Sequence, residues 1–155
     1  MKNKKLVRAL TLFLALILFL VGLTACGKVD PNGYATVVVA TSPDGYEEFS
    51  VPLSKVNGEN GALGLLDYLK EEGEIDYEAE DGPFGKHLTR VGDVKNDTAA
   101  GKYIYIWTSV ESDFDVSEYK NTIEHNGKSL TSAGVGICAM SVPDGAVIYI
   151  GYYPG

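Results

Sequence analysis

The chain has 155 residues, with 13 Lys and Arg against 21 Asp and Glu, a formal net charge of -8. That length suits one domain and is short for two. Eighteen glycines and six prolines are too few for a fibrous or low-complexity chain, and the acidic balance excludes the basic footprint with which proteins displace counterions from nucleic acid.

The basic residues crowd the start. Lys2, Lys4, Lys5 and Arg8 precede an apolar run from Ala9 to Leu23, and residues 1–25 carry no acid. A basic start, a short apolar run and small residues predict a secretory signal peptide. The run is shorter than the roughly 20 residues that span a bilayer. It ends Leu23-Thr24-Ala25-Cys26, which resembles the lipobox of bacterial lipoproteins. The resemblance implies a diacylglyceryl group on the Cys26 thiol, cleavage before Cys26, and attachment to the extracytoplasmic face of the cell membrane. Two acyl chains hold firmly where one binds only marginally.

The expected organisation is therefore a leader over 1–25, a lipid-anchored tether over 26–33 and a domain over 34–155. Taking away the leader removes 25 of the 155 residues, four of the 13 basic ones and none of the 21 acidic ones. That leaves 130 residues with a formal charge of -12, so a mean hydropathy near zero averages two unlike pieces. With Cys26 carrying lipid, only Cys138 remains, and no internal disulfide is expected. Cys138 reads as a small buried hydrophobe.

Ala35 to Thr41 (ATVVVAT) is β-branched and continuous, which suits a buried strand. Ser42-Pro43-Asp44-Gly45 turns the chain, and Tyr46 to Leu53 returns as the second strand of a hairpin. After the break at Asn57-Gly58, Asn60 is the expected helix cap. Ala62, Leu65, Leu66 and Leu69 follow at helical spacing, and Gly73 ends the helix. From Glu74 to Glu80 every even position is acidic and every odd one apolar, the period of a strand with one acidic face. Asp81-Gly82-Pro83 turns into a short strand over His87 to Val91, and Lys95 to Gly101 reads as a loop.

Lys102 to Val110 is the strongest strand in the sequence. Tyr103, Tyr105 and Trp107 share one face, and Ile104, Ile106 and Thr108 the other. Thr122 to His125 leads into Asn126-Gly127, a two-residue type I′ turn. Leu130 to Met140 has no clear period. Pro143-Asp144-Gly145 enters the last strand, Ala146 to Tyr152. A hairpin, one helix and a run of strands predict an α+β roll, a mixed β-sheet of about five to seven strands on one main α-helix.

Three stretches, ALGLLDYL at 62–69, GKYIYIW at 101–107 and VPDGAVIY at 142–149, resemble the transcobalamin-like C-terminal domain. That family is common in secreted and lipid-anchored bacterial proteins and also forms the small C-terminal domain of vertebrate cobalamin carriers. The resemblance covers roughly Ala35 to Tyr153. It implies a β-grasp-like fold, secretion and binding rather than catalysis, with no cofactor. Two departures from the pattern stand out. Thr108-Ser109-Val110-Glu111 follows the Trp strand where Asn-Gly is usual, and the closing turn reads Gly145-Ala146 where Gly-Asp is usual. In the carriers a larger helical domain helps close over cobalamin. With one domain expected here, a cobalamin-like ligand is only weakly implied.

Several clusters invite a function. Tyr103, Tyr105 and Trp107 make either a stacking platform for a planar ligand or sugar ring, or a packed face. The platform requires Trp107 to be partly exposed, with Ile104 and Ile106 packing towards Leu65 and Leu69. The acidic comb of Glu74, Asp76, Glu78 and Glu80, with Asp113 and Asp115, supplies oxygen ligands of the kind Ca²⁺ takes. The comb lacks the spaced Asp loop of a calcium site and reads better as a solvated face that guards a strand edge. His87, His125 and Cys138 match no catalytic or metal spacing, and His125, beside a turn, is expected to be exposed. The expected function is a non-catalytic, surface-anchored domain that binds a ligand or partner. The alternative is a structural or adhesion module that holds another surface protein or wall component through its sheet.

Overall fold

The computed structural model describes residues 28–153. The expected leader, the lipidation residue Cys26 and the start of the tether lie outside the described residues. Ten elements position the candidate site: β1 (Tyr34–Ser42), β2 (Gly45–Pro52), α1 (Leu63–Glu71), β3 (Tyr77–Gly82), β4 (Gly85–Val91), β5 (Val94–Lys95), β6 (Ile104–Thr108), β7 (Thr122–His125), β8 (Lys128–Ser132) and β9 (Val147–Tyr152). No helix among the described residues is long and apolar enough to cross a membrane.

The strands divide into two sheets rather than the one expected. Six form a sheet in the order β2-β1-β9-β6-β8-β7, and β3-β4-β5 form a second. In the larger sheet β1 and β9 run parallel, while the other pairs are antiparallel. The smaller sheet is separate because its turns are local: Gly82 pairs with Gly85, and Val91 with Val94 across Gly92-Asp93. Its strands find partners within a few residues and never join the larger ladder.

Period-2 alternation sorts the large sheet into two cores. Val37 and Val39 of β1 and Ile148 and Ile150 of β9 face the main core with Leu65, Leu66 and Leu69 of α1 and Leu88, Val91 and Val94 of the small sheet. Ile104 and Ile106 pack against the same core. The alternate residues Val38, Trp107, Leu130 and Val147 form a second core on the opposite face. Helix α1 thus shares its side of the sheet with the small sheet.

Helix α1 buries Leu65, Leu66 and Leu69, the face its spacing predicts. Its start differs from expectation. Asn57, rather than Asn60, caps by accepting the Glu59 N–H, and it caps a short 3-10 turn. Asn60 donates to Asp67 Oδ2 at 3.1 Å. The N-cap of α1 is Ala62, with no side-chain bond. Gly61 makes the link at φ 53°, where a Cβ would stand 2.5 Å from the Cys138 carbonyl oxygen.

The stretch expected as a tether is docked from Lys28 onward. Val29 bridges Val142 in parallel, Asp30 N–H donates to the Val142 carbonyl at 2.9 Å, and Val142 N–H donates to the Lys28 carbonyl at 2.8 Å. The ordered domain therefore begins earlier than 34, because Val29 finds apolar cover that its polar neighbours hide in the sequence.

Candidate functional site

Strand β6 lies inside the large sheet, yet β8 covers only part of it. The β6–β8 register holds Trp107 opposite Ser132 and Thr108 opposite Thr131. Past Ser132 the chain turns off, with a last bond from Ala133 N–H to the Ile106 carbonyl. Strand β4 runs out of cover in the same way: β5 pairs with it only at Arg90 and Val91. The two uncovered edges, Lys86–Leu88 and Ile104–Ile106, line one cavity of about 650 Å³.

Both ends of this cleft are closed. At one end Asn96 N–H donates to the Thr89 carbonyl and its Nδ2 to the Leu88 carbonyl, while its Oδ1 accepts the Ile104 N–H at 2.8 Å. A side-chain amide thus makes the bonds a neighbouring strand would make. At the other end the segment Ala133 to Gly136 passes from β6 to the β3–β4 turn. Gly136 packs so closely on the Phe84 carbonyl that an added Cβ would lie 2.5 Å from its oxygen.

The floor of the cleft is apolar, with buried Leu88 and Ile137 and half-buried Ile104 and Ile106. Its mouth is tyrosine-rich: Tyr105, Tyr119 and Tyr153 are exposed, and the rings of Tyr105 and Tyr153 stand 5.0 Å apart at 50°. Lys86, His87, Asp115 and Asn121 supply polar groups. The Asp81 carboxylate 2.7 Å away pushes the Lys86 ammonium up from its ordinary value. The Asp115 carboxyl accepts the Ser117 N–H at 2.8 Å, which holds its pKa down and ties the loop into a turn.

The three aromatic residues singled out in the sequence do not form one platform. Tyr103 is 49% exposed, Tyr105 40% and Trp107 0%. Tyr105 walls the cleft, and Trp107 lies within the second core. The indole Nε1–H of Trp107 donates to Asn121 Oδ1 at 3.1 Å. The partly exposed Trp107 that the platform reading requires is therefore not found, and the packed-face alternative holds for this residue. The β7–β8 hairpin covers it, because the large sheet curls until its two outer strands meet through side chains. Glu48 on β2 accepts from His125 Nε2 at 3.0 Å and from Asn126 Nδ2 at 3.1 Å. The Tyr46 ring stands edge-on to His125 at 4.9 Å.

That latch corrects a second expectation, since the His125 side chain is only 9% exposed. His125 also stands 5.4 Å from Tyr149, which is edge-on to Trp107 at 5.7 Å, so the rings form a chain from Tyr46 to Tyr153. Burial pushes the Tyr149 phenol up from its ordinary value. Tyr149 is legible in the sequence only as a strand residue, and Tyr153 lies one position past the strand. The place of Tyr149 beside Trp107 follows from the β6–β9 register, which sets the two opposite each other, and Tyr153 stands against Tyr105 instead.

The other clusters take structural roles. Arg90 donates to Asp76 at 2.6 Å and to Glu78 at 3.0 Å, and Lys70 pairs with Asp76 at 2.7 Å, so the comb carries its own cations. Alternation along the comb begins only at Tyr77, where β3 starts. Asp113 is buried and accepts the Ser141 N–H at 2.6 Å. His87 lies 3.5 Å from Asn96 Nδ2 and His125 meets Glu48, so the two histidines take different partners. Among the described residues no group of three or more His, Cys, Asp or Glu side chains is placed to hold a metal ion.

No family model and no curated protein matches the sequence. Among solved structures the chain is similar to the crystal structure of a "putative metal binding protein" from Ruminococcus gnavus. The identity is 17%, the match covers 80% of this chain and 99% of that one, and the TM-score is 0.50. At that identity the likeness shows a shared fold alone.

Proposed function

We propose that the protein is a lipid-anchored, extracytoplasmic binding domain of β-grasp-like, transcobalamin-like type. It captures a small molecule in the cleft between β4 and β6 and does no chemistry on it. The observation that carries this reading is the build of the cleft. Two strand edges are held apart, both ends are closed, the floor is apolar and tyrosines stand at the mouth. Small-molecule sites are concave, largely apolar and roughly 300–1,000 Å³, with a few convergent polar groups. Closed ends favour a compact ring over a chain threaded along the strands. Tyr105 and Tyr153 offer it ring faces, and Lys86, His87 and Asn121 offer hydrogen bonds.

The test is calorimetry on the purified full chain in mild detergent, titrated with monosaccharides and nucleosides. A ligand of this cleft loses roughly tenfold in affinity on Tyr105→Ala or Tyr153→Ala, the scale expected when one stacking ring is removed from a binding pocket. Binding indifferent to both changes would place the site elsewhere. The anchor is checked by labelling cells with a fatty-acid analogue. Label on the wild-type protein and none on Cys26→Ala is expected, and equal label would sink the lipid attachment.

One observation favours a second reading as a module that holds another surface protein. Strand β2 is an outer strand of the large sheet and pairs only with β1 among the described strands. The part of that edge beyond the Tyr46 and Glu48 latch is left to accept an added strand. Silence in every small-molecule arm, together with a defined surface partner, favours this reading.

A further inference from the structure

The cleft is edged by main-chain groups that no strand takes up. Along an antiparallel strand every second residue turns its N–H and C=O to the same side. On β4 the Leu88 C=O accepts Asn96 Nδ2, so Leu88 looks away from β3, and Lys86, two residues earlier, looks the same way. On β6 the Ile104 N–H donates to Oδ1 of the same Asn96 amide, and the Ile106 C=O accepts the Ala133 N–H. The two edges therefore face each other across the cleft. Among the described residues the N–H and C=O of Lys86, the N–H of Leu88, the C=O of Ile104 and the N–H of Ile106 have no partner. Main-chain groups that line a cavity are seldom left so.

The order of these groups describes their partner. Strand β4 offers donor, acceptor, donor in turn: Lys86 N–H, Lys86 C=O and Leu88 N–H. The complement is acceptor, donor, acceptor. An open-chain amide is trans and turns its N–H and C=O opposite ways, so matching one strand edge takes a run of peptides, and the closed ends of the cleft leave no room for a run. A ring holds the amide cis and presents both groups on one edge; a cyclic imide presents C=O, N–H and C=O there. The charges of the lining ask for a neutral ligand. Lys86 is paired with Asp81 at 2.7 Å, the Asp115 carboxylate accepts the Ser117 N–H at 2.8 Å, and the two signs cancel.

We propose that the cleft takes a neutral, flat heterocycle with a cyclic imide edge, the chemistry of a pyrimidinedione base. This ligand class rests on the reading of the cleft as a small-molecule site. The imide pairs with the β4 edge at Lys86 and Leu88, and Tyr105, whose ring stands 5.0 Å from that of Tyr153 at the mouth, packs on the ring face. The Ile104 C=O and Ile106 N–H are left for the substituent that the ring carries on its far side.

Calorimetry on the purified full chain in mild detergent compares uridine with 3-methyluridine, cytidine and methyl riboside. Uridine binds saturably. 3-Methyluridine keeps the ring and loses the imide N–H, and cytidine has no hydrogen on its N3; each binds roughly tenfold or more weakly, the scale of one hydrogen bond lost with its partner left unpaired in the cleft. Methyl riboside, with no base, does not compete. Lys86→Pro deletes a main-chain donor that lies outside the β3–β4 ladder, a place where an edge strand tolerates proline. It weakens uridine roughly tenfold, and Lys86→Met, which loses the same side chain and keeps the N–H, binds uridine several-fold more tightly than Lys86→Pro. Should Lys86→Pro melt early, the 3-methyluridine comparison on the wild-type chain decides by itself. Equal binding of uridine, 3-methyluridine and cytidine overturns the imide. Silence of uridine overturns it too; where a monosaccharide still binds in a Tyr105-dependent way, the cleft remains a small-molecule site. Uridine binding indifferent to Tyr105→Ala and Lys86→Pro alike lies outside the cleft and overturns both readings.

Discussion

The latch between the outer strands of the large sheet makes a sharp prediction at His125. Its imidazole bonds Glu48 and stands edge-on to Tyr46 and Tyr149. Two aromatic edge contacts contribute about 0.5–1.5 kcal/mol each. The bond to Glu48 adds ~1 kcal/mol, at the low end for a charged partner because Glu48 is 42% exposed. His125→Ala therefore costs about 2–4 kcal/mol. For a domain of this size that lowers the melting temperature by roughly 6–20 °C. Part of the cost falls on the seating of the β7–β8 hairpin, whose ladder to β6 holds only at Trp107↔Ser132 and Thr108↔Thr131. A loss of ~2 kcal/mol in seating raises the open population about thirtyfold. The assay is acrylamide quenching of Trp107 with hydrogen exchange across β7 and β8, in wild type and in His125→Ala. Glu48→Gln keeps an acceptor for Asn126 and His125 and is expected to cost less than half as much. Unchanged quenching and an unchanged melt in His125→Ala would refute the idea that this latch keeps Trp107 sealed.

Three further outcomes follow from named contacts. Asn121→Ala strands the buried Trp107 N–H and costs about 1–3 kcal/mol in urea unfolding followed by circular dichroism; combined with Trp107→Phe, which removes that donor, the two losses sum to less than additive by ~1 kcal/mol. The bonds to Lys70 and Arg90 hold the Asp76 carboxyl down from an ordinary 3.8 to about 2; a lowered folded pKa adds stability above pH 3.8 that is lost as pH falls towards 2, so an acid titration of the melt should show a smaller drop over that window in Asp76→Asn, and identical profiles would count against the network. Gly61→Ala drives a Cβ to 2.5 Å from the Cys138 carbonyl oxygen at φ 53°; it should destabilise the α1 entry by several degrees, whereas Gly101→Ala, also at positive φ but with nothing within 4 Å, carries only the backbone strain.

Local pattern carried the sequence reading where local forces decide. The apolar face of α1 is buried as its spacing requires, and Asn126-Gly127 adopts φ values of 49° and 75°, as a type I′ turn demands. The Ile and aromatic faces of β6 also separate as alternation predicts. What escaped is set by residues far apart in the chain. Trp107 is buried because Glu48 and His125, 77 positions apart, draw the hairpin over it. No window of sequence contains that fact. The cleft escaped for a different reason. It exists where strands stop pairing, and the end of a ladder leaves no compositional mark. Asn96, which closes one end, sits in a stretch that reads as an ordinary polar loop.

The short β6–β8 ladder has consequences on both faces of the sheet. On one side it leaves the Ile104–Ile106 edge open, which makes the cleft. On the other it leaves the β7–β8 hairpin weakly tied, which makes the latch necessary. Asn121 joins the two: it lines the cleft, its Oδ1 accepts from Trp107, and its N–H donates to Ser132 Oγ at 3.0 Å. A cleft ligand that competes for the Asn121 amide must therefore perturb the indole without touching it. A ligand stacked on Tyr105 has a second route, because that ring stands 6.0 Å from the Trp107 ring. Asn121→Ala therefore reduces the emission change caused by a cleft ligand, and Asn121→Ala combined with Tyr105→Ala removes it; an unchanged response in the double variant would place the ligand elsewhere.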